Sequence, residues 1–558
     1  MPAFLELWLP LVGCTLLALA HKIYGAGRDD AVPVLILLAA EAVTAVLWGI
    51  YWMVLYPAYF TPFRHLLTPA VSISCPTVTF VPRRVLKWAT QKRSWLRGNR
   101  TKLLADNPWI EVGDAVRTLP NTGLIRYYET FSREVLVVTS VDVIREMNSV
   151  KPYDFGHPKQ VKYMLGRITS SNFNFLSEHG HKIFRKNLRP AFTVQHTKKL
   201  VPVVWQKSQE MVQLIQEQLE ATPDAVVDLR DYIRRTMWDT SGLAMFGHDF
   251  ETLSHPERGI RDRFALLLAE FSGPAWVRLV MYFFDLRPLV SALSPLVTRA
   301  TRLGKALVDV RAAIEGVVAD NEKSFRAAGK EDLNITSISV ASGVFPHTEL
   351  VDNGMLFLTA GPNSTGTAIE WALYELGRRP AMQTRLREEI RAGLGTADDG
   401  VDIGSKLASL PFLNAVCSEV IRCYPFVPLS PKVTERDTTL LGVRLLKDTP
   451  LAVPVEALNQ DPALWGADAD DFNPERWLGD GDQALTGGAP SNFAMLSFGA
   501  GPNICIGQNQ ARAFLACCVA AVVQQFVVRL ANEDTAGRLR AAPYKKSEEG
   551  PLARLTPV

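Results

Sequence analysis

The stretch Phe498-Gly499-Ala500-Gly501-Pro502-Asn503-Ile504-Cys505-Ile506-Gly507 decides how the chain folds. Its glycines and its proline build a tight loop in which few side chains crowd the cysteine. Gln508 to Cys518 follows with a helical pattern, so the spacing predicts that Cys505 opens a helix. A thiolate at a helix N-terminus is stabilised by the macrodipole and by free backbone N–H groups. Gly507 leaves the backbone bare for the close approach of a flat partner. These features describe a site for thiolate ligation of haem iron. A buried structural cysteine at a turn is the other reading. It suits Cys517 and Cys518, while the loop chemistry argues against it for Cys505.

Upstream motifs stand in a fixed order around this loop. Glu419-Val420-Ile421-Arg422 puts an acid and a base one turn apart on a helix face, where they can pair. Such a pair is common on any helix, and it gains weight from Phe472-Asn473-Pro474-Glu475-Arg476-Trp477 downstream. A long helical stretch carries Ala360-Gly361-Pro362-Asn363-Ser364-Thr365. Pro362 removes one helical N–H and pushes on the carbonyl at Leu358, which suits a kink. His181-Lys182-Ile183-Phe184-Arg185 places His181 and Arg185 on one face at i,i+4 spacing.

With these motifs, the sequence resembles the cytochrome P450 family over most of Pro108 to Val558. The resemblance implies that Cys505 is the axial iron ligand and that Phe498, Gly501 and Gly507 belong to the loop that receives the haem. It implies that Glu419, Arg422 and Arg476 form a buried network that locks this loop. The segment from Ala360 to Thr365 is similar to the family's oxygen-binding AGxDT or AGxET, where an acid–alcohol pair relays protons. Gly361, Asn363 and Ser364 occupy those catalytic positions here. Asn363 departs from the pattern because it cannot ionise, although its amide can still orient water. His181 stands where the family's WxxxR motif has tryptophan. Asn503 stands where the family usually has a propionate-binding arginine. His181, Arg185 and Lys432 are then expected to supply the cationic contacts to the propionates. For Lys432 a solvated surface lysine is the rival reading. Phe357, Ala360, Val427 and Leu429 are pocket positions by resemblance, Thr367 and Glu370 only pack or pair, and Lys182 and Lys186 are expected at a reductase-docking face.

The pattern along the chain predicts a mainly α fold with a small β-sheet region. Gly123–Glu129 and Glu134–Ser140 alternate like paired strands. His179–Phe250 reads as helical, with an amphipathic stretch opened by Val227-Asp228-Leu229. Helices are expected from about Glu349 to Arg378, from Pro380 to Ala392 and from Pro411 to Tyr424. Short strands are expected over Lys432–Pro454, with an irregular segment over Asn459–Asn492. Leu266–Leu293 is apolar and aromatic-rich, and fits either a substrate roof or a membrane-dipping surface.

The chain has 558 residues, and 60 Lys+Arg against 57 Asp+Glu leave a net charge of +3. This balance excludes a protein built mainly to bind nucleic acid. Hydrophobic residues at 47% with 21% charged exclude bulk disorder. The cysteines are Cys14, Cys75, Cys417, Cys423, Cys505, Cys517 and Cys518, an odd and sparse set that points to a reducing compartment. His179 and His181 have no thiol partners at zinc-ligand spacing.

A mean hydropathy of +0.06 suggests membrane-buried sequence. Leu5–Ala20 carries no charge except Glu6, and Val32–Phe60 none except Glu41. The second run is long enough to cross a bilayer. The first is shorter and contains Pro10. Ala18-Leu19-Ala20 resembles a signal-peptide cleavage site, but no Lys or Arg precedes the apolar run, which favours an uncleaved helix. Arg83, Arg84, Lys87, Lys92, Arg93, Arg97, Arg100 and Lys102 carry no intervening acid and mark a cytoplasmic flank. The expected organisation is an anchor of one or two transmembrane helices over 1–60, a basic, proline-containing connector over 61–107, and a haem-thiolate catalytic domain over 108–558. The expected location is the endoplasmic reticulum membrane with the catalytic domain cytosolic.

The resemblance thus implies a monooxygenase that carries haem b and inserts one atom of O2 into a lipophilic small molecule. Electrons would come from NADPH through a separate cytochrome P450 reductase. Tyr59-Phe60-Thr61-Pro62-Phe63-Arg64-His65-Leu66 behind the apolar runs resembles microsomal enzymes of fungi, many of which tailor terpenoids or other secondary metabolites. Two rivals keep the haem. Asn363 and Ser364 motivate an isomerase or dehydratase acting on peroxides without O2 activation. Asn503 motivates a catalytically silent membrane haem protein.

Overall fold

The computed structural model describes residues 39, 43–44, 46–68, 98–99, 108–119, 123–129, 132–166, 169, 178–258, 302–328, 334–395, 402–479, 481, 485–531 and 551–558. The chain divides into two compact units, one formed by 1–137 with 274–292, the other by 138–273 with 293–558.

In the first unit, Tyr51–Phe60 winds as a π-helix. Trp52 packs on Tyr56 with ring centroids 4.5 Å apart. Among the described residues no helix is long and apolar enough to cross a membrane. Of the run Val32–Phe60 the structure describes 39, 43–44 and 46–60, and no spanning helix is found among those residues. The run Leu5–Ala20, the basic run from Arg83 to Lys102 apart from 98–99, and Leu266–Leu293 lie outside the described residues. Helix α1 (Pro108–Thr118) precedes strands β1 (Leu124–Tyr128) and β2 (Glu134–Val138), the pair that alternation predicted. Glu134 meets Arg126 at 3.4 Å and accepts the Thr61 hydroxyl at 2.8 Å.

The second unit holds the motifs. Among the described residues its longer helices are α2 (Glu178–Leu188), α3 (Val194–Ala221), α4 (Leu229–Phe246), α5 (Arg302–Ala328), α6 (His347–Arg378), α7 (Pro380–Leu394), α8 (Pro411–Cys423) and α9 (Gln508–Gln525). Their ends follow local chemistry. Thr193 accepts the His196 N–H at 3.1 Å to start α3, and Asp228 accepts the Arg230 N–H at 3.0 Å to start α4. Gly247, at φ +65°, closes α4 in the left-handed region. Proline cannot donate an N–H, so it fits the first turns of α7 and α8. Glu389 caps α8 by accepting the N–H groups of Phe412 and Leu413 at 2.8 Å each.

Three small antiparallel groups of strands complete this unit. Strand β5 (Ser430–Thr434) pairs with β3 (Phe155–Gly156) on one edge and β8 (Pro450–Val453) on the other. Strands β6 (Thr438–Leu440) and β7 (Val443–Leu445) form a hairpin. Strand β10 (Leu552–Pro557) lies between β4 (Val226–Asp228) and β9 (Phe526–Leu530). The core runs along α6 and α9. Leu515 to Val523 on α9 are buried without interruption and pack with Ile369, Ala372, Leu373 and Leu376 of α6. A helix apolar on every side belongs in the interior.

Candidate functional site

The cysteine loop is shaped by its backbone. The Cys505 N–H donates to the Phe498 carbonyl at 2.8 Å, and the Ile504 N–H to that of Gly501 at 3.1 Å. Gly499 and Gly501 sit at φ +72° and +67°, where a side chain is strained. At Gly501 a Cβ would also run into the carbonyl of Asn148. Gly507 is different. Its φ is −86°, open to any residue, and a Cβ there would meet only the edge of Phe192 at 3.9 Å. Among the described residues nothing requires glycine at 507, so the space beside it suits a ligand lying against the backbone.

Cys505 is exposed, in contrast to the buried Cys417, Cys517 and Cys518. It lies just ahead of α9, which begins at Gln508 rather than at the cysteine itself. Surrounding protein atoms push its thiol up, opposed by the Gly507 N–H and the nearby charge of Arg185. Arg185, half-buried on α2, donates to the Ile504 carbonyl at 2.6 Å. Burial lowers its pKa, and the cysteine opposes that shift.

The segment Pro152 to His157 ties the other basic groups to the loop. The Asn503 amide donates to the Pro152 carbonyl at 3.3 Å. The Tyr153 hydroxyl lies 3.1 Å from His181 Nδ1. Phe155 and Gly156 pair with Thr434 and Val433, which brings His157 beside Lys432. Among the described residues the half-buried Lys432 ammonium has no hydrogen-bond or ion-pair partner, and desolvation lowers it to about 8. Burial first, then the charges of Lys432 and Lys162, lowers His157 to about 3. Burial also lowers His181, helped by Arg185. A lysine held this way, without an acid, suits an anionic group of a ligand. His157 was not singled out in the sequence. Its signal lies in strand register, which only the fold supplies.

Behind the loop stands a dry ionic cluster. Glu419 and Arg422, each fully buried, pair through Nε–Oε2 at 2.8 Å and Nη2–Oε1 at 2.7 Å. Arg422 also donates to the carbonyls of Asn459, Ala469 and Asp471 at 2.7–2.9 Å. Glu419 further accepts from Arg476 at 3.1 Å, the Trp477 indole at 2.9 Å and the Asn473 N–H at 2.9 Å. Burial alone would lower the Arg422 pKa, but the Glu419 hydrogen bonds reverse the sign and it is raised. Asn459, fully buried, completes the link. It donates to the Arg422 carbonyl and to Ser497, and accepts the Leu496 N–H two residues before Phe498.

On α6, Pro362 lies inside the helix as expected. The Asn363 amide donates to the Thr359 carbonyl at 3.4 Å, and the Ser364 hydroxyl to that of Ala360 at 2.7 Å. Ser364 has thus committed its hydrogen to the backbone and offers lone pairs. Gly361, Asn363 and Ser364 are half-buried and Ala360 is exposed, although α6 is buried from Leu350 to Leu358. A Cβ at Gly361 would approach Met245 at 3.4 Å. Phe357 is buried against Phe192 at 5.5 Å, Leu429 is half-buried and Val427 is exposed. Glu370 faces Arg230 and Arg234 at 3.5 and 3.3 Å, the pairing expected of it. Lys182 is paired with Glu178 at 2.6 Å.

Known proteins agree with this geometry. The family profile described as Cytochrome P450 matches residues 117–540. The chain is 36% identical to the cytochrome P450 monooxygenase FSL4 of Gibberella zeae over 515 residues, covering 89% of this chain and 88% of that protein. It is 36% identical to the cytochrome P450 monooxygenase sphH of Aspergillus fumigatus over 533 residues, covering 94% and 93%. It is 28% identical to the cytochrome P450 monooxygenase FUM15 of Gibberella moniliformis, covering 86% and 85%. A cysteine in a glycine loop, a buried Glu–Arg pair behind it and a proline-bearing helix, together with these matches, place the chain in the cytochrome P450 family of haem-dependent oxidoreductases.

Proposed function

We propose that the chain is a haem b thiolate monooxygenase that inserts one oxygen atom from O2 into a lipophilic small molecule, a terpenoid or other secondary metabolite of a fungus. The observation that carries this reading is the Cys505 loop. Its cysteine is exposed ahead of α9, its N–H is fixed to Phe498, and Gly507 beside it is a glycine the protein does not need.

The residues fit the group. Cys505 would hold the iron, and Phe498, Gly501 and Gly507 would shape the face that meets the porphyrin. Arg185, His181 and Lys432 would meet the propionates, a role supported by the lone ammonium of Lys432 and the proximity of Arg185 to Cys505. When bound, haem supplies the oxygen chemistry, and a thiolate ligand favours O–O cleavage. The chain's part is binding, orientation and proton handling. The Cys505 thiolate is held between the Gly507 N–H and Arg185. Glu419, Arg422 and Arg476 keep the loop fixed through Asn459. Ser364, its hydrogen already given to Ala360, would accept a hydrogen bond from water on the substrate side. Asn363 would orient that water without itself gaining or losing a proton.

Electrons would come from NADPH through a separate flavoprotein reductase. Lys186 is the better docking lysine, because Lys182 is already paired. The enzyme would reside on the endoplasmic reticulum membrane with this domain in the cytosol, a placement supported by the uncharged runs near the N-terminus and the basic run after them.

The test is the carbon monoxide difference spectrum of the reduced, haem-loaded protein. The thiolate-type Soret shift is expected, and Cys505→Ser should abolish it. A wild-type protein that holds haem without that shift would overturn the reading. The non-ionisable Asn363 keeps a second reading open to the same preparation, in which turnover of a hydroperoxide without NADPH would identify an isomerase or dehydratase.

A further inference from the structure

Asn353 on α6 is 4% exposed, and neither its Nδ2 nor its Oδ1 has a hydrogen-bond partner. That is uncommon for a buried amide, which is costly to leave unpaired. A local remedy exists and is used elsewhere in this fold. Asn148, Asn187, Asn321, Asn363 and Asn414 each donate to the carbonyl four residues back. Asn353 does not. Its neighbour Asp352 forms an ion pair with Arg311 at 2.7 Å.

The helix phase says where the amide lies. Ala360 and Ser364 stand at i+7 and i+11 from Asn353, each within about 20° of it around the axis. Ala360 is exposed and Ser364 half-buried in mid-helix, so at this end the stripe opens on the space above the cysteine loop in the reading given above, while Asn353 is enclosed with the rest of Leu350–Leu358. Asn353 lies about 10 Å farther along the axis from Ala360. Around it, Met355, Leu356 and Phe357 are apolar and buried.

We infer that Asn353 is a specificity-determining residue that binds a hydroxyl group of an otherwise lipophilic substrate, holding it about 10 Å from the Ala360 segment where the reacting carbon sits. A hydroxyl matches both vacant functions, giving its hydrogen to Oδ1 and taking one from Nδ2. The substrate is then an already oxygenated molecule, and an oxygen-installing or carbonyl-reducing reaction must precede this one. The inference rests on the haem-thiolate reading.

The experiment uses the haem-loaded enzyme and two matched series of probes, 1-alkylimidazoles and 1-(ω-hydroxyalkyl)imidazoles, from butyl to dodecyl. The imidazole end is pinned at the iron and its binding is read from the Soret shift, so the chain length acts as a ruler. In the wild type the hydroxyl should improve binding roughly five- to tenfold over the methyl-ended probe at one or two neighbouring lengths. In Asn353→Leu that peak should vanish, while the methyl-ended probes bind at least as well. A peak that persists in the variant, or no peak in the wild type, overturns the inference. Thermal melting supplies a second readout. Leucine removes unpaired polar atoms, so the variant should melt at or above the wild-type temperature. A loss of many degrees would mean that the amide serves the fold instead. A haem-loaded protein that gives no Soret shift with imidazole itself would sink the haem-thiolate reading and this inference with it, a result distinct from a flat ruler.

Discussion

Asn459 donates its amide hydrogen to the carbonyl oxygen of Arg422 at 3.0 Å, and its side-chain oxygen receives the Leu496 N–H at 2.9 Å. One fully buried amide thus spans the distance between the ionic cluster and the start of the cysteine loop. Truncating it should disturb both ends. Asn459→Ala leaves the Leu496 N–H and the Arg422 carbonyl without that partner, a cost of about 1–3 kcal/mol for each buried group left unsatisfied. Denaturant unfolding should show a lower midpoint, and haem should leave faster under competition with apomyoglobin. Unchanged haem retention would show that the loop is held by other means.

Glu419 neutralises two buried guanidinium groups at once. Glu419→Gln leaves Arg422 and Arg476 facing a neutral amide, and breaking a buried pair this way costs about 3–5 kcal/mol. The variant should accumulate as unfolded or haem-free chain. Arg476 also reaches the Asp468 carboxylate at 2.8 Å, so Arg476→Lys should be the milder change. Expression and haem-to-protein ratios of the two variants, measured side by side, check the order.

Two glycines of one loop should behave oppositely. Gly501→Ala forces a side chain into the left-handed region and into the Asn148 carbonyl, so the soluble yield should fall. Gly507→Ala has no such conflict, and the chain should fold with a near-normal melting temperature. What it should change is the Soret spectrum and haem affinity, because the methyl group occupies space meant for a ligand. Equal damage from both would remove the argument that Gly507 is there for a partner.

His157 predicts a pH effect. In the folded chain its imidazole is lowered to about 3 by burial and by Lys432 and Lys162, from an ordinary value near 6.5. Between those values the unfolded chain binds a proton that the folded chain refuses. Folding stability is therefore lost as pH falls from about 6.5 toward 3. His157→Gln removes this contribution, so its melting temperature should fall less steeply than that of the wild type between pH 6.5 and 5. Parallel curves would contradict the burial of this imidazole.

The helices and the ionic cluster were legible because they rest on local spacing. Alternation marked β1 and β2, and the Glu419–Arg422 spacing alone put both groups on one face. Asn459, Trp477 and Asn473 were not legible as partners of that cluster. They meet Arg422 or Glu419 across 37 to 58 positions of sequence, and no periodicity encodes such a meeting. The Pro152–His157 segment was missed for a similar reason, since its importance comes from the register with β5. The i,i+4 relation of Lys182 to Glu178 is legible in the sequence and sets an acid beside a lysine expected at a docking face. The spanning helix expected from apolarity over Val32–Phe60 is not found among the described residues, of which Tyr51–Phe60 wind as a π-helix with Pro57 inside it.

Arg422 grips Asn459, Ala469 and Asp471 by their main-chain oxygens, never by their side chains. An anchor of that kind is indifferent to which amino acids it holds. The exposed Asp471 can therefore be exchanged widely without slackening the tie, whereas the fully buried Ala469 must stay small. The chassis tolerates mutational drift at its rear, leaving the chamber in front free to be retailored for new molecules.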